Sequence, residues 1–310
     1  MQLTVKTTGL AVLTVSMMCG DKKGPDMIID YGATPPVPQL KLTSQEHLEN
    51  YRRVYASSEK ASGRHTPEAN LENYLKECDT QDIEHVVIKA RDVETTFGGR
   101  VRNEDVAEFC NSNGDRFIGF AGVDPNKGMV AVRELEYAVR ELGLQGLNLQ
   151  CFENQLAIDD RKMYPVYAKC VELDIPVNIH VGVNFSLKSS PEFGRPEMLD
   201  RVMCDFPELR VCASPPGWPW VLELLSVAWR QPNLWIGLVA VRPRLLGVAE
   251  SGYGPLLQYG KTVLKDRMIF GSAYPMQPVG RCIEEILALP MNPEIADLWL
   301  YKNAKAFLRL

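Results

Sequence analysis

The chain has 310 residues, 45 % hydrophobic and 24 % charged, with a formal net charge of −5. This composition suits a globular protein, and 310 residues fill one decorated barrel more naturally than two separate domains. The negative balance and the lack of a basic tract with interleaved aromatics argue against a nucleic-acid partner. The absence of any run of about 18 apolar residues argues against a membrane span.

Eight cysteines spread from Cys19 to Cys282 without a Cys-x-x-Cys pair, which fits neither a compact disulfide scaffold nor a zinc ribbon. Reduced thiols in a cytoplasmic protein are expected. At the N-terminus, Thr4-Val5-Lys6 and Ala11 to Met18 resemble two strands around Thr8-Gly9. Residues 1–26 are therefore expected to be a hairpin extension that plugs the bottom of a barrel, with residues 27–310 as one unit. Ser16-Met17-Met18 makes a poor signal-peptide cleavage site.

From Met27 onward, short β-branched runs alternate with amphipathic helical patterns. Strands are predicted at Met27–Tyr31, His85–Ala90, Phe117–Val123, Gly146–Gln150, Val177–Val181, Leu209–Ala213, Leu234–Val241 and Arg267–Gly271. Between them the spacing predicts helices such as Asn103–Asn113, where Asn103 is expected to cap an acidic first turn, and Met129–Leu142. Eight strands alternating with helices predict an α/β fold, a (β/α)8 TIM barrel. Residues 34–63 are expected to form a long insertion in the first βα loop, either a lid or a helical cover, at the C-terminal mouth where such barrels carry their chemistry.

Several segments resemble the amidohydrolase-related family of the amidohydrolase superfamily, the metal-dependent-hydrolase TIM barrels. They are Met27-Ile28-Ile29-Asp30, the run from Arg116 to Pro125, Pro176-Val177-Asn178-Ile179-His180, Gly217-Trp218-Pro219-Trp220, Phe270-Gly271-Ser272-Ala273-Tyr274-Pro275, and Asn303-Ala304-Lys305-Ala306-Phe307-Leu308. They follow family order over residues 27–310.

The resemblance implies a metal held by Asp-x-His-x-His on strand 1, histidines on strands 5 and 6, and a strand-8 aspartate that also serves as general base. Here Asp30 is followed by Tyr31, Gly32, Ala33 and Thr34, so both strand-1 histidines are replaced. The strand-5 histidine is retained as His180. The strand-6 position is Pro215 or Ser214, the strand-8 aspartate is Ala273, and the strand-4 ligand places hold Asn148 and Gln150. A catalytic zinc needs about three imidazole, thiolate or carboxylate ligands. The chain is thus read as a divergent member lacking most metal ligands, with no metal and no cofactor. No P-loop, Gly-x-Gly-x-x-Gly or Gly-x-Ser-x-Gly segment supports a nucleotide cofactor or a nucleophile elbow.

Residues two apart on a strand share a face, so Asn148 with Gln150 and Asn178 with His180 are expected to gather inside the mouth. His180 is the leading acid–base candidate, with Tyr31 as an oxyanion donor and Asp92 as a replacement carboxylate. Arg91 and Arg242 are candidates for holding a substrate carboxylate, and Trp218 and Tyr274 for an aromatic wall. Lys89 would form a Schiff base only if it lined the barrel desolvated. Small residues at Gly32 and Ala273 are expected to enlarge the mouth.

These residues support a metal-independent enzyme acting on a small carboxylated or aromatic molecule by a lyase-type step, cyclisation or isomerisation, in a specialised biosynthetic setting. The alternatives are a non-catalytic binding or scaffold subunit, and a hydrolase or decarboxylase using a mechanism foreign to the family. The expected partner is a small-molecule substrate, and the resemblance implies a homodimer or pairing with a paralogue.

Overall fold

The computed structural model describes residues 25–54 and 69–310. The expected N-terminal hairpin, but for its last two residues, and residues 55–63 of the 34–63 insertion lie outside the described residues. Eight parallel strands make one sheet in the order β1 (Ile28–Asp30), β2 (Ile83–Lys89), β5 (Phe117–Gly122), β6 (Leu147–Leu149), β7 (Val177–Ile179), β8 (Val211–Ala213), β9 (Leu234–Leu238) and β10 (Met268–Phe270). Tyr31 N–H donates to the carbonyl of Phe270 at 3.0 Å and Ala273 N–H to that of Gly32 at 2.6 Å, joining the last strand to the first. The molecule is a (β/α)8 barrel.

Each predicted strand is present within a residue or two, apart from Leu234–Val241, which is shorter. Their fully buried Val, Ile and Leu runs are those of a parallel sheet covered by helices. A short antiparallel pair, β3 (Arg91–Val93) with β4 (Gly99–Val101), interrupts the second βα connection. Arg91-Asp92-Val93 and Gly99-Arg100-Val101 are too short for a strand period to show in the sequence.

The barrel interior has two levels. Below, Ile29, Tyr31, Val87, Ile118, Phe120, Cys212, Trp235 and Ile269 pack with Ala304 and Phe307 of the C-terminal helix Asn303–Leu308. That helix closes the bottom. Asn303 Nδ2 donates to the carbonyls of Lys265 (2.9 Å) and Met268 (2.8 Å), and the buried Arg210 donates to that of Phe307. Above this apolar layer, Lys89, Asn148, Asn178 and His180 replace the aliphatic side chains usual in such barrels.

One local expectation is corrected. Asn103 opens its helix but does not cap it: its Nδ2 donates to the carbonyl of Gly122 at 3.1 Å, and its Oδ1 accepts Gly122 N–H at 2.8 Å. The side chain clamps the end of β5, a long-range use that helix signals do not encode. The described cysteines are all free, and no helix among the described residues is long and apolar enough to cross a membrane.

Candidate active site

A cavity of about 450 Å³ opens at the C-terminal ends of the strands. Asn148, Gln150, Asn178 and His180 form one side of its wall, with Lys89 and Arg91 beside them. Gln45, Leu48 and Tyr51 of the first loop form its roof, and Phe152 and Tyr274 add aromatic surface.

The amides are linked. Asn148 Nδ2 donates to the carbonyl of Ala90 at 2.9 Å, so Asn148 Oδ1 faces its neighbours and accepts from Asn178 Nδ2 (2.9 Å) and Gln150 Nε2 (3.1 Å). Strand register explains the meeting, since Asn148 on β6 lies opposite Asn178 on β7. Two buried polar atoms of this wall, Asn178 Oδ1 and His180 Nδ1, have no hydrogen-bond partner among the described residues. Unpaired burial costs about 1–3 kcal/mol per group, a cost that a polar ligand would offset.

His180 is held by its backbone N–H to the carbonyl of Leu149 (3.0 Å), and its ring lies 4.6 Å from that of Phe152. Burial pushes its pKa down to about 4; Arg91 adds to the shift and Glu153 opposes it. The imidazole is therefore neutral at neutral pH. Lys89 differs. Its Nζ donates to the carbonyl of Tyr31 at 2.9 Å and sits 4.3 Å from the centroid of that ring. Burial lowers its pKa to about 8, against the pull of Cys212 and Asp30. Of the two, Lys89 lies closer to the range where a side chain exchanges protons at neutral pH.

Arg91 is braced from behind. Its Nη1 lies 3.2 Å from Oε1 of Glu153, and the same oxygen bonds Nε2 of His47 at 2.8 Å. Neither the Glu153 nor the His47 side chain is solvent-exposed, and His47 stacks on Phe97 at 4.1 Å. Glu153 thus ties the covering loop, which carries His47, to the cation in the cavity wall. Of this trio the sequence marks only Arg91, because residues 47, 91 and 153 share no motif and meet only in three dimensions.

Other sequence candidates lie elsewhere. Tyr31 is fully buried in the apolar layer below, edge-on to Phe120 and Phe307, and does not line the cavity. It follows β1 directly and its side chain enters the lower layer, so only its carbonyl reaches the site, through Lys89. Asp92 faces away, bonding Lys127 Nζ at 2.6 Å and Glu94 N–H at 3.0 Å. Arg242 is a buried partner of Glu285 outside the cavity. Trp218 lines a smaller adjoining pocket that shares His180 with the main one. Tyr274 does line the main cavity, stacked on Tyr74 at 4.3 Å.

The ligand positions of the family do not fit a metal in this chain. Asp30, first residue of the motif, accepts from Ser272 N–H (2.9 Å), Ser272 Oγ (2.6 Å) and Gly32 N–H (3.1 Å), which commits it to closing the barrel. The expectation that Gly32 enlarges the mouth is corrected: Val239 fills the space beside it, 2.8 Å from where a Cβ would stand. Ala273 has φ of +59°, a left-handed conformation that Asp and Asn tolerate better than Ala. Among the described residues no three His, Cys, Asp or Glu side chains converge as a metal requires.

The amidohydrolase family model matches residues 53–310. The chain belongs to that family. The amidohydrolase barrel is also similar to an uncharacterized TIM-barrel protein from Bordetella bronchiseptica, at 30 % identity over 91 % of this chain and 98 % of that one, with a TM-score of 0.78. A structure of 5-carboxyvanillate decarboxylase from Sphingomonas paucimobilis shares the fold with a TM-score of 0.62 at 18 % identity, over 92 % of this chain and 99 % of the other. A 78-residue stretch is 30 % identical to 2-amino-3-carboxymuconate-6-semialdehyde decarboxylase from Dictyostelium discoideum, spanning 25 % of this chain and 22 % of that protein.

Proposed function

We propose that this amidohydrolase-family chain is an enzyme that carries out a lyase-type step, such as loss of a carboxylate as CO2, on a small planar carboxylated molecule, without a resident metal ion. The observation that carries the reading is the wall of the cavity: Arg91, braced by Glu153, stands beside Lys89, His180 and the linked amides. A guanidinium held in this way presents its remaining N–H groups to a carboxylate. Phe152 and Tyr274 add aromatic lining, and about 450 Å³ suits a small ligand. That two relatives in the comparison are decarboxylases of carboxylated substrates supports the reaction class.

In this reading Arg91 anchors the carboxylate, and Lys89 and His180 move the proton that the substrate carbon gains. A carboxylate entering the cavity would raise the pKa of the neutral His180 imidazole, making it a better base with substrate bound than without. The replaced ligand positions support the metal-free form of the step.

The test is titration calorimetry of benzoate and benzenedicarboxylates with wild type and Arg91→Ala, followed by CO2-release assays on the binders before and after chelation. Binding weakened tenfold or more by Arg91→Ala, and turnover that survives chelation and falls at least a hundredfold in His180→Gln, are expected. Turnover that demands a full equivalent of bound metal would overturn the metal-free form. Carboxylates that bind no better to wild type than to Arg91→Ala would overturn the site.

A further inference from the structure

We infer that Lys89 acts covalently, its amine condensing with a ketone or aldehyde carbonyl of the substrate to form an imine, so that the natural substrate is an oxo acid. This rests on the reading of the cavity as a carboxylate site and adds the substrate class to it.

The geometry sets Lys89 apart from other lysines of the barrel. It is the last residue of β2, on the same inward face as Val87, and lines the mouth cavity from within the barrel. Its Nζ touches a backbone carbonyl and the face of Tyr31, and among the described residues no carboxylate lies within ion-pair distance of it. Burial weighs against the charge of this ammonium, while Asp30 and Cys212 pull the other way. Its pKa of about 8 follows, so roughly a tenth of the amine is free at pH 7. A desolvated lysine beside a second cation is a known way to activate this nucleophile.

Arg91 supplies the second cation and the second contact. It lies two residues beyond Lys89 and stays charged, with one N–H occupied by Glu153. One small molecule can thus place its carboxylate on Arg91 and its carbonyl carbon at Lys89. The neutral His180 stands in the same wall.

The chemistry balances without a further reagent. The free amine adds to the carbonyl carbon and water leaves, so a C=N bond replaces C=O. In a 3-oxo acid the protonated imine then draws the electron pair of the C–CO2 bond to its nitrogen, releasing CO2 and leaving an enamine. The enamine carbon takes a proton, and water hydrolyses the imine to return the amine and a ketone. Overall, an oxo acid anion and a proton become a ketone and CO2.

The experiment is reductive trapping on the full chain. Acetoacetate and, separately, 2-carboxybenzaldehyde are incubated with the protein and cyanoborohydride, then read by intact mass and peptide mapping. A single stoichiometric adduct on Lys89, suppressed by excess benzoate and missing in Lys89→Arg, is expected. Labelling spread over surface lysines, or unchanged in Lys89→Arg, overturns the inference. Mapping on wild type decides it even if the variant fails to fold. Benzoate binding, measured alongside, separates the two readings: binding that depends on Arg91 without a Lys89 adduct sinks the imine alone, and loss of both sinks the carboxylate site as well.

Discussion

Val239 occupies the space that any side chain on Gly32 would need: a Cβ built there would lie 2.8 Å from Cγ1 and 2.9 Å from Cγ2 of Val239. Gly32 stands where the family carries its first metal-binding histidine, and Val239, just past the end of β9, leaves no room there for a side chain. Gly32→Ala should cost about 1–3 kcal/mol through overpacking. Most of that cost should be recovered in Gly32→Ala/Val239→Ala, giving a coupling on the order of 1 kcal/mol in urea unfolding. Strictly additive effects would show that the two residues do not compete for one space.

Ala273 sits at φ +59°, where a Cβ costs about 1–2 kcal/mol. Ala273→Gly relieves this and loses part of the gain to backbone entropy in the unfolded chain. A net stabilisation of up to about 1 kcal/mol, seen as a higher Tm, is expected. A lower Tm would mean that the methyl group makes a packing contribution larger than the backbone cost.

His180 sets an acid limb of stability. In the fold its imidazole stays neutral down to a pKa of about 4, whereas in the unfolded chain it protonates near 6.5. Between these values the unfolded state binds more protons, so stability falls as pH drops from about 6.5 to about 4, by on the order of 3 kcal/mol. His180→Gln should flatten this part of the urea-unfolding profile. Parallel profiles for the two proteins would remove His180 as the cause.

Glu153 holds two bases, one from the covering loop and one from the cavity wall. Its removal would leave a buried His47 and the inner side of Arg91 without a partner. Glu153→Ala is therefore expected to destabilise by about 3 kcal/mol. Carboxylate affinity should fall with it, since Arg91 loses its brace. His47→Ala should loosen the loop, read as faster hydrogen exchange over residues 45–54, with a smaller effect on affinity. Equal losses of affinity in both variants would argue that the loop, and not the position of Arg91, governs binding.

Much of the barrel was legible because its signals are local. The β-branched runs at Val86-Val87-Ile88 and Val177-Asn178-Ile179, and the helical spacing of Leu135, Val139 and Leu142, report their periodicity within a few residues. The same alternation placed Asn148, Gln150, Asn178 and His180 on one inner wall. It failed for Tyr31, because the face on which a side chain lies does not tell its depth along the barrel axis. Asp92, a candidate because it follows strand 2, is turned toward Lys127 by the short β3–β4 hairpin.

The sequence alone determined that eight strands and their helices would alternate, that the family's ligand positions had lost their donors, and that His180 stood nearly alone among them. The tertiary structure decided what took their place. Whether Gly32 leaves a void depends on Val239, some 200 residues away in the chain. Whether Lys89 keeps its proton depends on its burial inside the closed barrel, and the aim of Arg91 depends on Glu153 and His47. Composition and periodicity describe what each residue is and which way it faces; packing volume and desolvation are properties of neighbours that only the closed barrel brings together.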